Sequence, residues 1–477
     1  MPQRPPVLPV AVATLLALLL GCLLTPAAWA DTPTTATTSD GSAPTRSVVT
    51  PVLSARRVPG LLAAHQADVA LQAALQPILA QTTPNTCLTV QATGRTIESV
   101  NGELPVMPAS TEKLLTATAV LDRMGEDGTV TTAAVSEASP QDGVLDGDLY
   151  VVGAGDPMLA TTGYLSTFDE PDEPYNDYAK LADAIKEARI TEIHGKVIAD
   201  ESKFDAVRYL ATWPKRYITA NEVGPLGALM VNDGFTGLSQ HPDQPAADRH
   251  PGEPAQLAAE TLTSLLEQRG VHVDGSPTTG TAPQGAGTVA SLDSLPMRTN
   301  VREMLRRSDN TTAEVLLKGL AAHDGQIGTT EAGAAEVQDT LHRLGLPADG
   351  SVTIDGSGLD LGNRVTCDLL SAALDHQGPG SSLADDLPVA GQSGTLRKRM
   401  RGTAAEGKVR AKTGTLNEVS ALAGFAQSAS GEDLTFAFII NGALPNALTL
   451  SDQVGVALAE YGKGVSLDQL SPAPAPS

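Results

Sequence analysis

Pro108-Ala-Ser-Thr-Glu-Lys113 is the stretch on which the reading of this chain turns. It places a serine three residues before a lysine, at the head of an apolar run that continues to Leu121. Two short motifs follow it in order, Ser308-Asp-Asn310 and Lys412-Thr-Gly-Thr415. No other lysine of the chain has a serine three residues upstream, and Lys412 opens the only Lys-Thr-Gly. Ser-x-Asn also occurs at Ser99-Val-Asn101, but that copy precedes Ser110. The chain therefore offers one ordered triplet, S-x-x-K, S-x-N, K-T-G, with no competitor.

Each motif has a chemical reading and a bland one. A helix starting beside Ser110 gives that serine free backbone N–H groups and a positive dipole end, which favour a developing oxyanion. Lys113 then lies on the same helical face and can take the hydroxyl proton. A free lysine amine has a pKa of about 10.4, so it must be desolvated or set beside another cation, for which Lys412 is the candidate. Ser308 and Asn310 fall in a turn between two helical stretches. Ser308 can there relay a proton to a leaving amine and Asn310 can bind substrate backbone, with Asp309 pointing away. Lys412 ends an expected strand over 408–411. Its charge and the hydroxyls of Thr413 and Thr415 suit a carboxylate, Gly414 permits close approach of a substrate backbone, and the N–H groups of Thr415 and Ser110 suit an oxyanion. Singly, each is better explained as a helix cap or a strand end. The ordered set favours catalysis.

Around the triplet the pattern is mixed α/β. A helix is expected from Leu61 to Leu79, with Leu62, Val69, Leu71 and Leu75 apolar, followed by strands over 87–91 and 96–100. Strands over 419–427 and 434–440 and a helix over 449–461 close the chain, so one sheet drawn from both termini and covered by helices is expected. Ser110 and Ser308 lie 198 positions apart (308 − 110), and that interval holds self-contained elements over 149–152, 178–188, 195–199 and 256–268. It is read as one or two domains inserted over 136–286, with the main body over 59–135 and 287–463.

Residues 1–30 read as an export signal: Arg4, an apolar run over 7–24, and Ala28-Trp29-Ala30. Leu19-Leu-Gly-Cys22 keeps a lipid-anchored alternative open. No later stretch is apolar enough to span a membrane. Residues 31–58 and the tail from 464 read as unstructured linkers. A net charge of −23 argues against nucleic acid and anionic membrane surfaces as partners. Cys87 and Cys367 can pair or remain buried thiols, and neither has a histidine at zinc-ligand spacing, so no metal or cofactor is expected.

With Gly153-Ala-Gly-Asp-Pro157, Asp355-Gly-Ser-Gly-Leu359 with Asn363, Gly394-Thr-Leu396, Met400-Arg-Gly-Thr403 and Gly407 to Thr415, the chain resembles the low-molecular-mass class C penicillin-binding proteins, actinomycete D-alanyl-D-alanine carboxypeptidase/endopeptidases in particular. The resemblance implies a penicillin-recognising α/β core, an acyl-enzyme on Ser110, peptidoglycan stem peptides as substrate and β-lactams as covalent inhibitors. It assigns Lys113 as base, with Ser308 and Asn310 as the second motif and Lys412, Thr413 and Thr415 as the third. Asp355 to Leu359 is read as structural. Two rival functions use parts of the same pattern. A class A β-lactamase needs a glutamate to activate its deacylating water, and no Glu-x-x-Leu-Asn lies between Asn310 and Lys412. A non-catalytic wall-binding protein would have had no need to keep Ser110, Lys113 and Lys412 intact.

Overall fold

In a computed structural model of the chain, residues 59–92, 94–165, 174–236 and 250–464 are described. The expected export signal, the Cys22 alternative, the leader and the tail beyond 464 lie outside them. No described helix is long and apolar enough to cross a membrane.

The main sheet joins the two ends of the chain. Its strands run in the order Val409–Leu416, Val419–Gln427, Asp433–Asn441, Thr86–Ala92 and Arg95–Val100, all antiparallel. The central strands are nearly continuous apolar runs because both faces are covered. Leu88, Val90, Phe436 and Phe438 face the helices Pro59–Leu79 and Ala447–Ala459, against Leu71, Leu75, Val454 and Leu458. Cys87, Phe425, Ala437 and Ile439 face a helical layer that includes Leu115, Met304, Leu316, Leu320 and Leu370. Val69 faces solvent instead of the core.

A second, mixed sheet lies within the long interval, ordered Thr278–Thr279, Val197–Asp200, Leu149–Val152, Thr131–Ser136 and Gly287–Asp293. Leu149–Val152 and Val197–Asp200 pair in parallel, which needs a crossover, and the helix Ala179–Glu187 falls within it. Two features depart from the expected 136–286 insertion. The flanking strands Thr131–Ser136 and Gly287–Asp293 pair with each other, so the sheet extends past both bounds. And Phe204, Trp213, Tyr217, Leu226 and Met230 form a cluster with Val315 and Ala322 of the Asn310–His323 helix, so the segment carrying them packs onto the main body. Burial of three aromatic rings there outweighs contiguity in the chain.

Cys87 and Cys367 form a disulfide, tying the second residue of Thr86–Ala92 to the head of the Cys367–Gln377 helix across 280 positions. Replacing both by alanine is expected to cost about 2–5 kcal/mol. Denaturant unfolding under non-reducing conditions checks this, and an unchanged midpoint would show that the bond adds nothing.

Candidate active site

The backbone sets up the site before any side chain does. Ser110 sits in a short 3-10 turn, Ala109–Glu112, that leads directly into the helix Lys113–Met124. Ala109 is held at φ 47°, and Ser308, which ends the Met297–Arg307 helix, at φ 63°. Both are left-handed conformations that cost a residue with a Cβ about 1–2 kcal/mol. Such strain persists where the surroundings over-determine it, and here it falls beside Ser110 and on Ser308. Asp309 caps the next helix, accepting from Thr312 N at 2.5 Å, and stays out of the cavity that Ser308 and Asn310 line while its charge still reaches Lys113.

Lys113 is fully buried and its Nζ has three partners: Ser110 Oγ at 3.1 Å, Asn310 Oδ1 at 2.6 Å and the Ser357 carbonyl at 2.7 Å. Two of these, Asn310 Oδ1 and the carbonyl, can only accept. As a free amine Lys113 therefore spends its two N–H groups on them and turns its lone pair to the Ser110 hydroxyl. That is the orientation a base needs. Burial is the largest effect on Lys113 and holds its pKa down to about 8, against the pull of Asp309, Glu314, Asp355 and Glu112. Lys412, the cation expected beside it, is itself fully buried and is pushed well below its ordinary range, first by burial and then by the Lys113 charge.

Lys412 lies inside the strand Val409–Leu416, not just past its end, and donates to Ser308 Oγ at 2.8 Å and to the Thr413 carbonyl at 2.7 Å. This strand is at the sheet edge. Ala411 N bonds outward to Pro388 O at 2.9 Å, and strand alternation puts the N–H groups of Thr413 and Thr415 on that same outer edge. Gly414 serves a different purpose from the expected one: a Cβ there would lie 2.8 Å from Pro108 O and 3.2 Å from Ala109 Cβ. It is the loop bearing Ser110 that requires a glycine here. Asn310 likewise has its amide engaged within the protein, accepting from Lys113 and donating to the Glu222 carbonyl at 2.7 Å.

Ser110, Ser308, Asn310, Thr413 and Thr415 open onto one cavity of about 650 Å³, with Lys113 and Lys412 buried behind them. A larger hollow of about 840 Å³, between the Pro59–Leu79 and Ala447–Ala459 helices, contains none of these residues. The cavity also includes residues that the motifs do not reveal. Arg216, Tyr217 and Glu222 arrive on the segment packed against the Asn310–His323 helix. Thr395 accepts from Thr413 Oγ1 at 2.8 Å, and Arg399, also lining the cavity, is ion-paired with Asp452 at 2.6 Å. The stretch Asp355 to Leu359 is more than a turn, since its Ser357 carbonyl holds Lys113. A backbone carbonyl has no signature in sequence. The Gly-Ser-Gly context was the available signal.

The pattern of the D-Ala-D-Ala carboxypeptidase 3 (S13) family matches residues 66–250 and 240–460. The chain belongs to this family. Among its relatives, a D-alanyl-D-alanine carboxypeptidase of Actinomadura sp. (strain R39) is 31% identical over 444 residues, covering 78% of this chain and 80% of the relative. Carboxypeptidase DacB of Mycolicibacterium smegmatis is 30% identical over 384 residues, covering 78% and 79%. In fold, the chain is similar to the crystal structure of penicillin binding protein 4 (dacB) from Haemophilus influenzae, with a TM-score of 0.67 at 22% identity over 81% of this chain and 99% of that one. That protein has also been solved in complex with a β-lactam. The S13 assignment and this fold agree with the mixed α/β core expected from the motifs.

Proposed function

We propose that this chain removes the terminal D-Ala of peptidoglycan stem peptides through an acyl-enzyme on Ser110. The observation that carries the reading is the Lys113 amine, buried and oriented by two acceptors with its third direction on Ser110 Oγ. Lys113 takes the hydroxyl proton as Ser110 attacks the penultimate D-Ala carbonyl, and the N–H groups of Ser110 and Thr415 hold the oxyanion. The C–N bond breaks as the leaving amine takes a proton from Lys412 by way of Ser308. Lys412 is recharged from the Lys113 ammonium through solvent, and the freed Lys113 amine takes a proton from the attacking water and returns it to Ser110 Oγ as the shortened peptide leaves. Arrival of the substrate carboxylate beside Thr413, Thr415 and Lys412 favours the charged form of Lys412, because an opposite charge raises an amine's pKa. The Ser110 serine is the same atom a β-lactam would acylate.

The test is D-Ala release from a diaminopimelyl pentapeptide, set beside cleavage of a cross-linked dimer. Release of free D-Ala supports the carboxypeptidase reading. Dimer cleavage without it would replace that reading by an endopeptidase. A β-lactamase is disfavoured because none of Glu314, Glu331, Glu336 and Glu406, the glutamates between Asn310 and Lys412, lines the cavity. The penicillin adduct is therefore expected to outlast many substrate turnovers. Rapid steady-state hydrolysis of a penicillin would contradict this.

Because Lys113 acts as the free amine and its pKa lies at about 8, acylation is expected to accelerate as pH rises through that value. A second-order rate of penicillin acylation that is flat from about pH 6 to about pH 10 would remove Lys113 as the titrating base.

We further read residues 131–293, apart from the segment carrying Phe204 to Met230, as an accessory domain. The mature chain is read as exported after Ala30. N-terminal sequencing and the intact mass of the cell-associated protein distinguish a start after Ala30 from a lipidated Cys22.

A further inference from the structure

Behind Lys113, on the side away from the cavity, lie carboxyl groups that the acylation scheme does not use. Glu314 stands one turn after Asn310 on the same helix, so the two side chains share a face. It is fully buried. Its Oε1 accepts from the Ser357 N–H at 2.8 Å, and its Oε2, also buried, has no hydrogen-bond partner. The peptide that Glu314 grips from one side is the one whose carbonyl meets Lys113 Nζ at 2.7 Å on the other. Asp355 differs: burial pushes it up, but it accepts from Trp213 Nε1, Asn363 Nδ2, Gly358 N and Asp360 N, four donors that favour its ionised form and that Glu314 lacks. Glu112 accepts only from Thr353 Oγ1 and has a buried oxygen without a partner, like Glu314.

We propose that Glu314 is a positioning residue for the acylation step: it clamps the Ser357 peptide so that its carbonyl aims Lys113 at Ser110, and it places a titratable carboxyl beside the base. The inference rests on Lys113 being that base. A side chain needed only to accept from Ser357 N–H would do as well as an amide, without the cost of burying an acid. The groups facing Lys113 are Asp309, Glu314, Asp355 and Glu112, and Lys113 in turn faces Lys412. Burial first, and then the Asp355 charge, raise Glu314 to about 8, the range in which Lys113 titrates. When Glu314 gives up its proton, its negative charge favours the ammonium form of Lys113 and delays the appearance of the free amine.

Glu314→Gln keeps an oxygen for Ser357 N–H and removes the charge. Its rate of acylation by a fluorescent penicillin, measured against pH, is expected to rise at lower pH than in the wild type. A displacement of about half a pH unit makes it about threefold faster on the ascending limb. Glu314→Leu, which cannot accept from Ser357, is expected to acylate about tenfold more slowly at every pH. A Glu314→Gln profile superimposed on the wild type, or a Glu314→Leu rate equal to it, overturns the proposal. If neither variant folds, ¹³C-carboxyl NMR of glutamate-labelled Glu112→Gln protein decides. A glutamate titrating near pH 8 that moves on penicillin acylation supports the proposal, and the absence of one overturns it. Lys113→Met separates the two readings. If it acylates at the wild-type rate, the base assignment itself fails; if it is slowed about 10³-fold while Glu314→Gln matches wild type, only the role of Glu314 fails.

Discussion

Ser110→Ala is expected to abolish D-Ala release, lowering it by about 10⁴-fold or more, and to leave the protein without a penicillin adduct. The magnitude follows from losing the atom assigned to form the acyl bond, with the rest of the cavity left to bind substrate without reacting. The fold should be unaffected. Ser110 is half-buried, and its hydroxyl is hydrogen-bonded with Lys113 Nζ. The thermal midpoint of Ser110→Ala is therefore expected within a few degrees of the wild type. Loss of activity together with loss of the folding transition would point instead to a structural role for the serine.

The second large effect is at Lys113. Lys113→Met is expected to slow acylation by about 10³-fold, within the range that a positioned general base contributes. Unlike Ser110→Ala it should leave a residual rate, because the serine and the backbone N–H groups remain. The residual rate should also lose its ascending limb near pH 8, the pH at which the wild-type amine becomes free. The stability outcome has two opposing parts. The substitution removes a buried amine, which is favourable, but leaves Asn310 Oδ1 and the Ser357 carbonyl without their donor, at about 1–3 kcal/mol each. A modest fall in the unfolding midpoint is expected. A Lys113→Met enzyme with the wild-type pH profile would show that another group takes the proton.

Much of this arrangement is legible in the sequence. The outer strands and helices are, because Val419–Gln427 and Asp433–Asn441 are predominantly apolar runs divided by Ser430-Gly-Glu-Asp433, a connection of hairpin length. The triplet is legible because the proposed chemistry calls for those residue types at those spacings, all within short stretches of sequence. What stays hidden depends on contacts between distant parts of the chain. Nothing local marks the Ser357 carbonyl as a partner of Lys113, 244 positions away. Glu314 reads as an ordinary helical glutamate until its burial is known. The packing of Tyr217 and Trp213 onto the Asn310–His323 helix, which brings Arg216 and Glu222 to the cavity, is likewise a tertiary fact. Lys412 illustrates the same limit for electrostatics. Its motif announces a cation, whereas its burial decides how readily it holds a proton. Gly414 illustrates it for sterics, since the close approach it permits is to Pro108, within the protein.

The most direct test of the Ser110 acyl-enzyme is the site of the penicillin adduct. The full chain is incubated with penicillin, quenched in acid, digested and mapped by mass spectrometry. One adduct, on the peptide carrying Ser110 and absent from Ser110→Ala, is the expected result. An adduct on any other residue, or none at saturating penicillin on folded protein, would contradict it.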